Sequence, residues 1–143
     1  MIADIKIKNM KKYNKEEIKK IMPHREPMLL LDEAWEGGGS YKIKGNEYFL
    51  QGHFPNNPVV PGVILCEIMA QSVCATLHGK LEGKTPYFTG LDAVRIRNKV
   101  LPGDNFVTKV EVKKSKGPFY FIDAKGFVND KLCISGELSF VIA

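Results

Sequence analysis

Residues 61–79 run Pro61-Gly62-Val63-Ile64-Leu65-Cys66-Glu67-Ile68-Met69-Ala70-Gln71-Ser72-Val73-Cys74-Ala75-Thr76-Leu77-His78-Gly79. Val63, Ile64, Leu65, Ile68, Met69, Val73 and Leu77 recur at helical spacing and cover most of the circumference, which predicts one long helix buried nearly all round. Pro61 suits a first helical turn and Gly79 a stop. His78 and Lys80 set positive charge against the C-terminal end of the dipole.

Upstream, Pro55, Pro58 and Pro61 break any regular ladder between Gly52 and Gly62, and each drives its predecessor toward extended backbone. A fixed, extended loop is expected there. Met28–Trp35 and Tyr41–Phe49 read as strands parted by a Gly37-Gly38-Gly39-Ser40 loop. Earlier still, Asn14 can cap a small, lid-like helix with Glu17 at its third position, Ile18, Ile21 and Met22 on one face, and a stop before Pro23.

Downstream of Pro86 the period drops to two. Leu132, Ile134, Leu138, Phe140 and Ile142 alternate with Cys133, Ser135, Glu137, Ser139 and Val141, and Phe106, Thr108, Val110 and Val112 alternate with Lys109, Glu111 and Lys113. Gly103-Asp104, Gly117-Pro118 and Asn129-Asp130 supply turns, which predicts an antiparallel meander. One helix followed by four strands, with no βαβ alternation, indicates an α+β architecture in which the sheet wraps the helix. At 143 residues, 44% hydrophobic and 26% charged, residues 1–143 suit a single domain and exclude collagen-like or disordered classes.

The net charge of +5 points to an acidic partner, but the basic residues lie in short clusters such as Arg95-Ile96-Arg97 and Lys113-Lys114 without a stacking-aromatic motif, so no nucleic-acid partner is expected. Cys66, Cys74 and Cys133 are odd in number, form no CxxC pair and lie in apolar stretches, as reduced thiols of a cytoplasmic protein do. Met1–Lys12 alternates charge with aliphatics, and the apolar runs are far below spanning length, so neither an export signal nor membrane insertion is expected.

Three features in 51–71 can carry chemistry. Glu67 shares a helix face with Val63, Ile64, Ala70 and Gln71. Burial without a partner would raise its pKa and hold a proton ready for a general acid; a structural glutamate satisfied by backbone or an Arg is the alternative. His53, between Gly52 and Phe54-Pro55, has its backbone fixed and is placed either as a general base in a cleft or as a hydrogen-bonded loop histidine. Gly62 offers an N–H unpaired within the helix at the positive end of its dipole, suited to an oxyanion or simply to helix initiation. His24 and His78 have no ligand spacing with each other or a Cys, so no metal is expected; His24-Arg25 before Pro27 reads as a tie for the segment after the first helix.

Pro23-His24-Arg25-Glu26-Pro27-Met28-Leu29-Leu30-Leu31-Asp32, Gly52-His53-Phe54-Pro55 through Pro58, Pro61-Gly62-Val63, Glu67 to Ala70-Gln71, Thr89-Gly90-Leu91-Asp92, Arg95 and Leu101-Pro102-Gly103-Asp104 together resemble the (3R)-hydroxyacyl-acyl-carrier-protein dehydratases of bacterial type II fatty acid synthesis. The likeness runs from about Met22 to the end, with His53 and Glu67 correctly spaced. It implies a hot-dog fold, a bent antiparallel sheet around one long central helix, assembled as a homodimer and commonly as a trimer of dimers. It further implies His53 of one subunit facing Glu67 of the other as base and acid, and Gly62 as oxyanion donor. Phe54 and Val63 join Gly62 as substrate-binding residues, and no cofactor is needed. The implied partner is an acidic acyl carrier protein bearing a phosphopantetheine-linked β-hydroxyacyl chain. Ile96 and Lys99 stand where members often carry an aromatic and a proline, and Asn56-Asn57 replaces a frequent Gly-containing pair, which touches tunnel shape rather than the acid/base pair. Glu67 in place of Asp favours a plain dehydratase over the dehydratase/isomerase branch. The alternatives are a hot-dog acyl thioesterase, which has no need of His53, and a non-catalytic carrier-binding module.

Overall fold

The computed structural model of the chain describes residues 6–143. The first part of the alternation read over Met1–Lys12, residues 1–5, lies outside the described residues.

Strand β1 (Tyr13–Asn14) leads into helix α1 (Lys15–Ile21). The capping box forms as expected: the Asn14 side chain accepts from the Glu17 N–H at 2.9 Å, and the Glu17 carboxylate accepts from the Asn14 N–H at 3.1 Å. Ile18 and Ile21 enter the core, so α1 is anchored rather than lid-like.

Strands β2 (Glu33–Trp35) and β3 (Gly38–Lys42) are shorter than the sequence pattern predicts, and Gly38, Gly39 and Ser40 lie inside β3 rather than in a loop. The reason is close approach. A Cβ on Gly38 would strike the Thr108 carbonyl of the neighbouring strand, and one on Gly39 would sit 2.9 Å from the Leu31 side chain. Tyr48–Leu50 form a 3-10 turn. Met28–Leu31, read as strand, is an irregular segment with Leu29, Leu30 and Leu31 buried. It bonds a side chain instead of a neighbouring strand: the Leu30 N–H donates to the Gln71 side-chain oxygen at 2.8 Å, and the Gln71 amide donates to the Met28 carbonyl at 2.7 Å.

Helix α2 spans Gly62–Gln71, much shorter than the predicted helix to Gly79. The Ser72 hydroxyl bonds back to the Ile68 carbonyl at 2.7 Å, and Val73, Cys74, His78 and Lys80 donate to carbonyls three residues back, so the chain tightens into successive turns. Thr76 is drawn sideways, accepting the Gly37 N–H at 2.9 Å. Nor is α2 buried all round: Leu65, Cys66, Ile68 and Met69 face the core, but Val63 is 70% exposed.

Strands β4 (Pro86–Ile96), β5 (Asn105–Lys116), β6 (Phe119–Val128) and β7 (Lys131–Ile142) complete an antiparallel seven-stranded sheet ordered β1-β2-β3-β5-β6-β7-β4. The meander holds for β5-β6-β7, with left-handed Asn129 and Asp130 at the last turn. Instead of pairing with β5, β4 crosses to the far edge beside β7, because β5 is already paired with β3 from Gly38↔Lys109 to Lys42↔Asn105. Helix α2 packs on β3, β5, β6 and β7, sharing one core with Phe106, Ile122, Ile134 and Leu138.

Candidate active site

The proline loop is pinned at several points. Phe54 and Asn57 exchange backbone hydrogen bonds of 2.9 and 2.8 Å, the Val59 N–H donates to the His53 carbonyl, and the Val60 N–H donates to the Val100 carbonyl, each at 2.9 Å. His53 Nδ1 lies 2.8 Å from the Val59 carbonyl oxygen. A carbonyl only accepts, so Nδ1 carries the proton and the neutral ring keeps its lone pair on Nε2. The ring stacks on Phe54 with centroids 4.1 Å apart. The loop therefore holds a histidine in the tautomer a proton acceptor needs.

Pro61 caps α2, and among the described residues neither the Gly62 nor the Val63 N–H has a backbone acceptor; the first bonds into the helix are Ile64 and Leu65 to the Pro61 carbonyl. These are the orphan donors of a helix start. A Cβ on Gly62 would collide with the Ile96 side chain, which lies over this end of the helix. Phe54 and Val63 are exposed.

One turn further along α2, Glu67 lines a small cavity of about 40 Å³ with Met22, His24, Gln71, Cys74 and Phe88 among its walls. Its side chain is 19% exposed and is not unpartnered: the Gln71 amide donates to Oε2 at 2.8 Å, and His24 Nε2 stands 3.5 Å from the same oxygen. The environment is apolar apart from these groups, and burial pushes the Cys74 thiol in the wall up to about 12, so it stays neutral. His53 does not line this cavity. Within one chain the predicted base therefore stands outside the cavity that the predicted acid lines.

His78 stacks on Tyr13. Among the described residues no group of three or more His, Cys, Asp or Glu side chains is placed to hold a metal ion. Arg25 ties the segment after α1, donating to the Met22, His24 and Lys19 carbonyls at 3.1, 2.7 and 3.0 Å. His24 does not share that task; it faces Glu67. Gln71 was visible in the sequence only as a helix-face neighbour of Glu67, and its i+4 spacing is the signal that it reaches the carboxylate.

The FabA-like domain matches residues 22–137. The chain belongs to that family. Among its relatives, the 3-hydroxyacyl-[acyl-carrier-protein] dehydratase FabZ of Clostridium perfringens is 46% identical over 136 residues, covering 90% of this chain and 98% of the relative. That of Caldicellulosiruptor bescii is 44% identical, covering 91% and 99%. Solved structures share the fold at low identity. A chain of the dehydratase heterocomplex ApeI:P from Xenorhabdus doucetiae has a TM-score of 0.72 at 16% identity, covering 88% of this chain and 90% of that one. The fluoroacetyl-CoA thioesterase FlK has 0.64 at 13%, covering 76% and 87%. The family segment begins at Met22, on the strap that carries His24, and includes the proline loop, α2 and most of the sheet.

Proposed function

We propose that this chain removes water from (3R)-hydroxyacyl-acyl-carrier protein to give the trans-2-enoyl thioester in fatty acid synthesis. It is a hydro-lyase. The observation that carries this is the near-full-length identity to the FabZ dehydratases, with the chain and its relatives covering one another almost completely. The thioesterase likeness is at 13% identity and speaks for the fold alone.

In the mechanism we infer, His53 Nε2 takes the proton alpha to the thioester carbonyl, the Cα–Cβ double bond forms, and the Cβ–O bond breaks as Glu67 delivers a proton to the departing hydroxyl. Water leaves. The Val59 carbonyl is placed to stabilise the imidazolium through Nδ1–H, and the free N–H groups at Gly62 and Val63 to receive the thioester oxygen as enolate charge develops. The thioester acidifies the alpha proton, so positioning and proton transfer meet the chemistry without a cofactor.

The active assembly is a homodimer with His53 of one protomer opposite Glu67 of its partner. This reading is supported by His53 standing outside the cavity that Glu67 lines and by the open edge of β4, where Tyr87, Phe88, Leu91 and Ile96 are exposed near the exposed Val63. The acidic carrier protein fits the +5 charge. We read residues 1–143 as one dehydratase domain, since the described elements share one core, and as a cytosolic protein, since Cys66, Cys74 and Cys133 are free and buried.

The test is enoyl-thioester absorbance on β-hydroxyacyl-carrier protein, run beside His53→Ala and Glu67→Gln. Product from the wild type alone, with each variant down on the order of a hundredfold or more, is expected. A flat wild-type trace across several chain lengths overturns the dehydratase, and near-normal turnover by either variant overturns that residue's role.

A further inference from the structure

Among the described residues, Glu67 is gripped on one oxygen only. The Gln71 amide donates to Oε2 at 2.8 Å, and His24 Nε2 stands 3.5 Å from that same Oε2. Neither contact involves Oε1. Gln71 is itself immobilised, with its oxygen accepting the Leu30 N–H and its nitrogen also donating to the Met28 carbonyl. His24 sits in the same strap, held by the Arg25 guanidinium on the Lys19, Met22 and His24 carbonyls. Both groups that meet Glu67 are therefore fixed by residues 22–30, a segment far from the helix in sequence.

The histidine's own bonding is lopsided. Nδ1 is buried with no hydrogen-bond partner among the described residues, while Nε2 faces the carboxylate. Buried ring nitrogens of a histidine kept for structure are in the large majority hydrogen-bonded. Among the described residues the one polar group the ring addresses is Glu67.

We propose that His24 is a positioning residue for the acid: its Nε2–H, with the Gln71 amide, reserves Oε2 as the accepting oxygen of Glu67, so that the transferable proton rides on Oε1. A carboxylic acid donates through one oxygen and accepts through the other, and two donors converging on Oε2 exclude the proton from it. Glu67 then meets the substrate hydroxyl with one defined O–H instead of two interchangeable ones, and the 3.5 Å gap closes in the substrate complex, as catalytic hydrogen bonds commonly tighten on binding. The histidine touches no reacting atom; it acts through Glu67. This rests on Glu67 being the general acid.

The experiment compares His24→Gln, which keeps an N–H donor at the reach of Nε2, with His24→Met, which keeps the length and removes the donor. Wild type and Glu67→Gln run alongside on the same carrier-linked substrate. His24→Gln is expected to hold kcat within about threefold, and His24→Met to lose roughly tenfold to a hundredfold in kcat at little change in KM. His24→Met placed on the Glu67→Gln background should cost nothing further. Folded fraction and assembly of each variant are checked by circular dichroism and gel filtration, with His24→Leu standing in if His24→Met does not fold. Equal activity in the Gln and Met variants, whether both normal or both reduced, overturns the positioning role while Glu67→Gln stays inactive. An active Glu67→Gln instead removes the acid assignment itself, which is a separate failure.

Discussion

Gly126 lies on β6 beneath the ring of Phe106, and a methyl group there would overlap that ring and come 3.0 Å from the Ile134 side chain. Phe106 is fully buried and has no solvent to swing into. Gly126→Ala should therefore overpack the sheet-to-helix layer and destabilise the chain by about 1–3 kcal/mol, read as a lower urea midpoint at unchanged slope. An unmoved midpoint would mean that the ring gives way. At this scale the candidate site was unevenly legible. His53 and Glu67 stand out because a proline-braced loop and an apolar helix each frame one polar side chain, a local signal. His24 and Gln71 take their roles from contacts across 43 and 4 residues of sequence, and only the helical spacing of the second could be read without the fold.

The turn after β3 explains why the strand read over Tyr41–Phe49 stops at Lys42. Glu47 folds back to accept the Lys44 and Gly45 N–H groups at 2.9 and 2.7 Å and the Tyr41 hydroxyl at 2.7 Å, so one side chain takes the donors a neighbouring strand would otherwise satisfy. Burial alone would raise its pKa, but the Lys44, Tyr41 and Gly45 hydrogen bonds outweigh it and hold the carboxyl below the usual carboxylate range; burial first, and then the Glu47 hydrogen bond, push the Tyr41 hydroxyl up. A depressed folded pKa means that the ionised turn stabilises the protein at pH values above the unfolded carboxylate pKa, and that this stability drains as pH falls through the folded one. Unfolding midpoints taken at pH 6 and at pH 3 should fall further for wild type than for Glu47→Gln; equal losses would show that the turn contributes nothing to acid sensitivity. The capping box of α1 and the alternation in β5 and β7 were readable because each is a pattern of neighbours. The end of α2 was not, because the Ser72 back-bond and the pull of Gly37 on Thr76 compete with helix propagation while leaving the apolar spacing intact through Leu77.

At the scale of the whole molecule the strand order matters most. Among the described residues, crossing β4 to the outside of β7 leaves an eleven-residue strand bonded on one side only, and its exposed Tyr87, Phe88, Leu91 and Ile96 lie where a monomer would carry charge to discourage pairing. The same crossing seats Ile96 on Gly62, so the open edge runs to the helix start that offers its free N–H groups, and Phe88 brings it to the wall of the Glu67 cavity. A second copy covering this edge would lie against both the helix start and the wall of the Glu67 cavity, the arrangement the proposed homodimer calls for. Isologous pairing makes this testable without a structure of the dimer. His53→Ala and Glu67→Gln chains, each inactive alone, are unfolded together and refolded as a mixture. If each site draws its base from one protomer and its acid from the other, a mixed dimer holds one site with both residues intact and one with neither, and random pairing should restore about a quarter of wild-type turnover. If base and acid belong to the same chain, every site in the mixture lacks one of them and activity stays at the level of the separate variants. Recovery that tracks the fraction of mixed dimer, measured with differently tagged chains, ties the restored activity to the interface; the absence of any recovery in a mixture proven to contain mixed dimers would return the whole site to a single protomer.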